Sequence, residues 1–325
     1  MMRPSAFKIL ALLGALTLGA GAAGAADQTI RLVFNPGLLP LYAKAKPELF
    51  GDVLAKQGIK VEWVDVQGSH APAIAAVLGG SADVTFGGTT SVTLTSAANG
   101  QDVAIAALGR TIPTDGGIVV YPNSGINSVE DLKGKTVAVN RGGFGELTLV
   151  AALQKHHIPR DQVNFVFLSL DDGAVAFAAH KVDAYVALSS GVQTQTVVYG
   201  AKEIFDVDKD LTEDESITAG NTLSFVTTKK YGEAHKDVLT KVFTAYKAVA
   251  DWTNNHPDEA WTILDQANKF PQAIKAAVKA VGTKYEVDFP ITQTDLLGLQ
   301  RQADFLLDNK VLPKPIKAAD YVVKY

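Results

Sequence analysis

The chain contains no cysteine. That excludes disulfide staples and thiolate metal sites. It also excludes the lipid-bearing cysteine that a tethered bacterial lipoprotein needs at its cleavage site. The six histidines, His70, His156, His157, His180, His235 and His256, form neither HExxH nor another metal-ligating spacing. No G-x-S-x-G nucleophile elbow occurs. Lysine and arginine are spread without a basic block, so a nucleic-acid surface is unsupported. Beyond the first residues there is no apolar run long enough to span a bilayer. No repeat of solenoid period and no low-complexity linker is present. Neither a metal nor a cofactor is implied.

What is there begins with an export pattern. Arg3 and Lys8 give a positive start, Ile9 to Leu18 an apolar run, and Ala23-Gly24-Ala25-Ala26 a small-residue tract. Residues 1–26 are therefore expected to be a secretory signal peptide. Without that leader, 28 basic residues face 34 acidic ones, a net charge of −6. An exported protein without a lipid anchor needs a second membrane to retain it, and the periplasm fits. Hydrophobic residues make up 47% of the chain and charged residues 20%, which is ordinary globular composition.

The remainder alternates between strand-like and helix-like segments. Strands are expected at 29–34, 60–66, 83–86 and 103–108, with helices at 39–57, 71–78 and 91–98 between them. This rhythm predicts a parallel sheet covered by helices. The pattern restarts after Pro113, with strands at 117–121, 136–139, 164–168 and 183–186 and helices at 145–156 and 173–179. Ser128 with Glu130 and Asp131 marks a capped helix start. A strand at 222–227 carries the chain back, and helices follow at 236–254, 257–266, 271–281 and 294–309. The expectation is an α/β protein of two lobes, 27–113 with 221–325 and 114–220, joined by a two-crossing hinge. The ligand cleft would lie between them at the carboxyl ends of the strands.

Three segments carry a resemblance. Asp131-Leu132-Lys133-Gly134-Lys135-Thr136-Val137-Ala138-Val139 is one. Trp252 followed by Asn255-His256-Pro257-Asp258-Glu259-Ala260 is another. The third is Pro290-Ile291-Thr292, Gln300 to Leu307 and Leu312-Pro313-Lys314-Pro315-Ile316. In order and spread they resemble the ABC-transporter substrate-binding family for aliphatic sulfonates, taurine and nitrate. The resemblance implies a type II periplasmic-binding fold that closes on a small anionic organic ligand. It also implies an ABC permease in the inner membrane as partner. The pyrimidine-synthesis enzymes of the same fold family use a cysteine-rich motif that this chain lacks. A monomeric binder, not an enzyme, is expected. A neutral pyrimidine-like heterocycle as ligand, or a periplasmic sensor that serves no transport, are the alternatives.

Three loops should face the cleft. In the first, Asn35, Gly37 and Leu38 coincide with the family's first ligand loop, although Asn-Pro-Gly alone explains a turn. In the second, Gly88, Thr89, Thr90 and Ser91 lie between a strand and a helix. Hydroxyls and free N–H groups at a helix start favour an anion, whereas N-capping needs one hydroxyl. In the third, Gly142 and Gly143 offer backbone donors and Phe144 a ring against an organic group. Arg110 could clamp an oxyanion with parallel hydrogen bonds or be a surface arginine. Where the family shows a WDP-type segment, this chain has Leu188-Ser189-Ser190-Gly191, making Ser189 and Ser190 candidate contacts.

Overall fold

The computed structural model describes residues 28–34, 39–66, 70–217 and 222–325. The signal-peptide reading and the loop residues Asn35, Gly37 and Leu38 lie outside the described residues, as does the expected boundary at 220/221.

Two sheet systems organise the chain. In the first, β1 (Gln28–Phe34) runs parallel to β2 (Ile59–Asp65), and a parallel bridge from Leu32 to Val84 leads toward β3 (Thr85–Thr89). Strands β4 (Ala104–Ile112), β10 (Thr222–Thr227) and β11 (Lys284–Asp288) complete it in the order β11-β4-β10-β3. The second sheet holds β5 (Gly116–Val120), β6 (Thr136–Val139), β7 (Asn164–Phe167), β8 (Ala184–Leu188) and β9 (Lys202–Asp206), in the order β7-β6-β8-β5-β9.

The sheets are mixed and not purely parallel. β10 is antiparallel to β3 and β4, and β5 is antiparallel to β8 and β9. Both strands enter their sheet from a crossing between the two halves, without the crossover helix that sets parallel direction. The expected single helix over 39–57 is broken into Leu39–Ala45, a 3₁₀ turn Pro47–Leu49 and Gly51–Ala55. Pro47 supplies no N–H and its ring obstructs the preceding turn.

Each half has its own core. Helix Lys236–Asn255 turns Val242, Phe243, Tyr246 and Val249 inward, and Phe225 packs 5.1 Å from Phe243 and 5.0 Å from Tyr246. In the second half, Ile118, Val137, Val139, Leu149 and Phe205 form the matching cluster. The halves also touch each other. Leu147, on helix Phe144–Lys155, sits 1% exposed in a cluster with Leu94, Leu108 and Leu299 of the first half. Helix Gln272–Val281 leans on the segment Ser190–Val198. Among the described residues, no helix is long and apolar enough to cross a membrane.

Candidate functional site

A cavity of about 380 Å³ lies between the halves. The first half supplies Tyr42, Thr89, Leu223 and residues of helices Pro257–Asn268 and Gln272–Val281. The crossing supplies Thr111, Pro113, Thr114 and Asp115. The second half supplies Phe144, Leu188, Ser189 and Ser190. Thr89, Phe144, Ser189 and Ser190, distant in sequence, are thus brought to one space.

The glycine–hydroxyl segment is not a loop of equivalent donors. Strand β3 continues through Gly88 and Thr89, and the helix Thr90–Ala98 starts at once. Gly88 faces away from the cavity wall against the ring of His70; a Cβ there would lie 1.7 Å from His70 Cδ2. Thr90 is fully buried between the Thr222 carbonyl, 3.2 Å away, and the Gln302 side-chain oxygen. Its hydroxyl holds the strand return in place. Ser91 is buried too, 2.7 Å from the Thr89 hydroxyl. Thr89 occupies the N-cap position without a side-chain cap bond. Of the three hydroxyls only Thr89 meets the cavity, with Ser91 orienting it from behind.

The third segment also differs from expectation. The Gly142 N–H donates to Glu146 Oε2 at 2.6 Å, and the Gly143 N–H to the Asn140 carbonyl at 3.3 Å. Glu146 is 3% exposed and pairs with Arg160 as well. This carboxylate folds back over its own helix start, as in a capping arrangement, and takes up the Gly142 donor, while the Asn140 carbonyl takes up that of Gly143. Only Phe144 reaches the cavity, its ring laid against Gly116, where a Cβ would stand 2.3 Å from Phe144 Cζ. Arg110 lies elsewhere. It borders a separate depression of about 250 Å³ and is held by Glu213 and Asp288 at 3.2 Å and Glu286 at 3.6 Å.

The crossing itself is stapled. Asp208 accepts from the Thr114 and Asp115 N–H groups at 2.8 Å each, and the Ser189 N–H donates to the Asp115 carbonyl at 2.5 Å. Asp115 and Ser189 both adopt positive φ, 52° and 53°, a conformation that costs energy in residues other than glycine. Gln193 Nε2 donates to Asp115 Oδ1 at 2.8 Å. Burial pushes the Asp115 carboxyl up to about 6, with repulsion from Asp208 and Asp206 adding to it and the Gln193 bond opposing. The charged groups among the described lining residues are Asp115, Asp258 and Lys279, and the last two pair at 2.8 Å.

Sequence reasoning passed over Asp115, Trp261, Phe270 and His70. Asp115 follows Pro113 at the crossing, so its neighbourhood was marked but its orientation was not. Trp261 and Phe270 read as ordinary helix-face and connector residues. His70 opens helix His70–Leu78, and both ring nitrogens are sealed from solvent without a partner among the described residues. Burial lowers its pKa to about 4, so the imidazole is neutral near pH 7.

Comparisons with known proteins agree with this architecture. A Bacillus subtilis (strain 168) protein named for aliphatic-sulfonate binding is 28% identical over 313 residues, 94% of this chain and 91% of the relative. The alkanesulfonate-binding protein SsuA of Xanthomonas axonopodis pv. citri, solved with MOPS, superposes with TM-score 0.76 at 20% identity. That match covers 92% of this chain and 99% of the other. The periplasmic aliphatic sulphonate binding protein SsuA of Escherichia coli gives 0.74 at 20% identity, covering 91% and 97%. The desulfurization enzyme DSZB shares the fold more distantly, at 0.62 and 17% identity, covering 91% and 96%. The fold is thus that of the periplasmic binding proteins. A match to the NMT1/THI5 like family runs over residues 40–260, and the chain belongs to that family.

Proposed function

We propose that this protein is the periplasmic solute-binding component of an ABC importer and that its ligand is a small organic sulfonate or related oxyanion. The observation that carries the reading is the cavity itself. Its polar contacts come from opposite walls, Thr89 on one half and Ser189 and Ser190 on the other, so one ligand would hold both halves together. In this reading the lobes are 27–113 with 221–325 and 114–220, and the exported chain is a free monomer that delivers its cargo to an inner-membrane permease. The names borne by the matched relatives support the sulfonate. Binding in preference to catalysis is supported by the lining. Its charged groups are one carboxylate and a paired Asp–Lys, beside two buried tyrosines, Tyr42 and Tyr285, whose pKa values burial raises, with no histidine among the described lining residues.

Asp115 decides where an anionic head group sits. Its second carboxylate oxygen accepts no hydrogen bond among the described residues and its neighbours Asp206 and Asp208 are acidic, so the sulfonate belongs toward Thr89. The same carboxylate favours the second reading, a neutral heterocycle stacked between the aromatic walls. Calorimetric titration of the exported protein against sulfonates and pyrimidines, from pH 5 to pH 8, separates the two. A bound anion raises the Asp115 pKa further. Sulfonate affinity should therefore fall as pH rises through about 6, and Asp115→Asn should flatten that slope. At 100 times its dissociation constant a ligand stabilises by about 2.7 kcal/mol, an independent thermal readout. Thr89→Val should weaken sulfonate at least several-fold, with about 1–3 kcal/mol of stability lost because the buried Ser91 hydroxyl is left without this bond. Binding of a pyrimidine alone, with no pH slope, overturns the sulfonate.

A further inference from the structure

We infer that the depression bordered by Arg110 is a second binding site, separate from the cleft, for a small organic cation bearing a guanidinium or ammonium group. Strand alternation builds it. Leu223 on β10 and Thr111 on β4 face the cleft cavity, so their neighbours Thr222 and Arg110 stand on the opposite face of the sheet, paired across the two strands. Asp288 at the end of β11, with Asp295 and Arg301 on helix Gln293–Asp308, extends that wall. Glu213 and Asp214 of the second half close the other side. At about 250 Å³ the depression lies just below the range of about 300–1,000 Å³ that encloses drug-sized ligands, which suits a small occupant.

Two independent features point to the charge of that occupant. The first is a buried hydroxyl with nothing to bond. Thr222 is 5% exposed, and its Oγ1 is sealed without a hydrogen-bond partner among the described residues. Its polar neighbours are satisfied. The Thr90 hydroxyl meets the Thr222 carbonyl and Gln302, and Gln302 Nε2 donates to the Ile217 carbonyl at 3.0 Å. The Thr222 hydroxyl is therefore the acceptor left over for an incoming N–H group. The second feature is the charge balance. Four carboxylates line the depression against two arginines, a surplus of two negative charges, and Glu286 adds a further acid 3.6 Å from Arg110. Arg110 takes one oxygen each of Glu213 and Asp288, both at 3.2 Å, and the cap of helix Gln293–Asp308 takes one oxygen of Asp295. The other oxygen of each of these three accepts no hydrogen bond among the described residues. No three histidine or carboxylate side chains among the described residues converge as metal ligands do. Acceptors spread in this way match donors spread over a molecule, as on a guanidinium or a diamine, and not a point charge.

The test is an amide NMR titration of the exported protein, at constant ionic strength, with methylguanidine and with putrescine. Methylurea serves as the uncharged counterpart of methylguanidine. At least one of the cations should give saturable shifts around Ile217, Thr222, Gly298 and Gln302, weaker when salt is raised, and methylurea should give none. Asp288→Asn should weaken the bound cation about tenfold, as expected for a lost charge-assisted hydrogen bond. Thr222→Val removes a hydroxyl that bonds nothing, so it should melt no lower than the wild type and still weaken the cation about threefold or more. That pairing of retained stability with lost binding keeps the test free of any folding defect that Asp288→Asn brings through Arg110. Three results would each overturn the site: no saturable shift with either cation, methylurea shifts equal to those of methylguanidine, or full affinity in Thr222→Val.

Discussion

The two walls of the cavity are built by opposite means. On the first half, apolar side chains project from two regular helices whose backbone is relaxed, and a buried titratable group of that half, behind Gly88, is a neutral base, His70. On the second half, the wall is made by backbone held in costly conformations at Ser189 and Asp115, and its buried groups are acids. One wall supplies area and the other supplies position. A ligand that touches both draws bulk discrimination from the first and orientation from the second.

The largest break in this contrast comes from removing what stiffens the second half. Glu146→Ala strips Arg160 and the Gly142 N–H of their shared carboxylate and should lower unfolding free energy by about 3–5 kcal/mol in urea titrations. Glu146→Gln, which keeps one acceptor, should cost less.

Acid titration should separate the walls by sign. His70 in the folded protein has a pKa of about 4, below the ordinary 6.5. Protons therefore bind the unfolded chain first, and its contribution, whole above pH 6.5, is lost as pH falls toward 4, up to roughly 3 kcal/mol. Asp115, raised to about 6, and Glu203, raised to about 7 chiefly by burial, act in the other direction. They stabilise the fold at low pH and lose that contribution as pH rises through 6 and 7, by roughly 1–2 kcal/mol each after solvent screening. Urea melts across pH 4 to 8 should show His70→Leu removing the acid loss and Asp115→Asn with Glu203→Gln removing the alkaline loss. Identical slopes in all three proteins would defeat the contrast.

The smallest expected effect is the most local. Ser189→Gly relieves a positive φ and should raise stability by about 1 kcal/mol, while weakening ligand binding through the lost hydroxyl. A loss of stability instead would mean that Ser189 pays for its conformation with contacts beyond its backbone.

Much of the scaffold was legible because local patterns were strong. β6 and β10 lie where alternation and β-branched residues put them, at Thr136–Val139 and Thr222–Thr227. β11 was missed although Tyr285 and Val287 alternate with exposed Lys284 and Glu286, because five residues between helical stretches give too short a period to stand out. The broken first helix was announced by Pro47 alone. For the site, Thr89, Phe144, Ser189 and Ser190 could be named from strand ends. Thr90 and Ser91 could not be told from Thr89, since which hydroxyl faces inward depends on where β3 stops. The satisfied N–H of Gly142 depends on a carboxylate four residues on, whose inward turn no spacing reveals, and that of Gly143 on the Asn140 carbonyl three residues back. Trp261 and His70 acquire their surroundings only from residues far away in the chain.

Leu147 has a kinetic consequence. This side chain of the second half is sealed among Leu94, Leu108 and Leu299 of the first, so separating the halves bares it to water at about 1.5–3 kcal/mol. In the proposed binding cycle, an opening that parts these leucines carries that cost, which predicts that ligand enters only during openings. At high solute concentration the observed association rate should level off at the opening frequency, and a Leu147→Ala molecule should fill faster and hold its cargo for a shorter time.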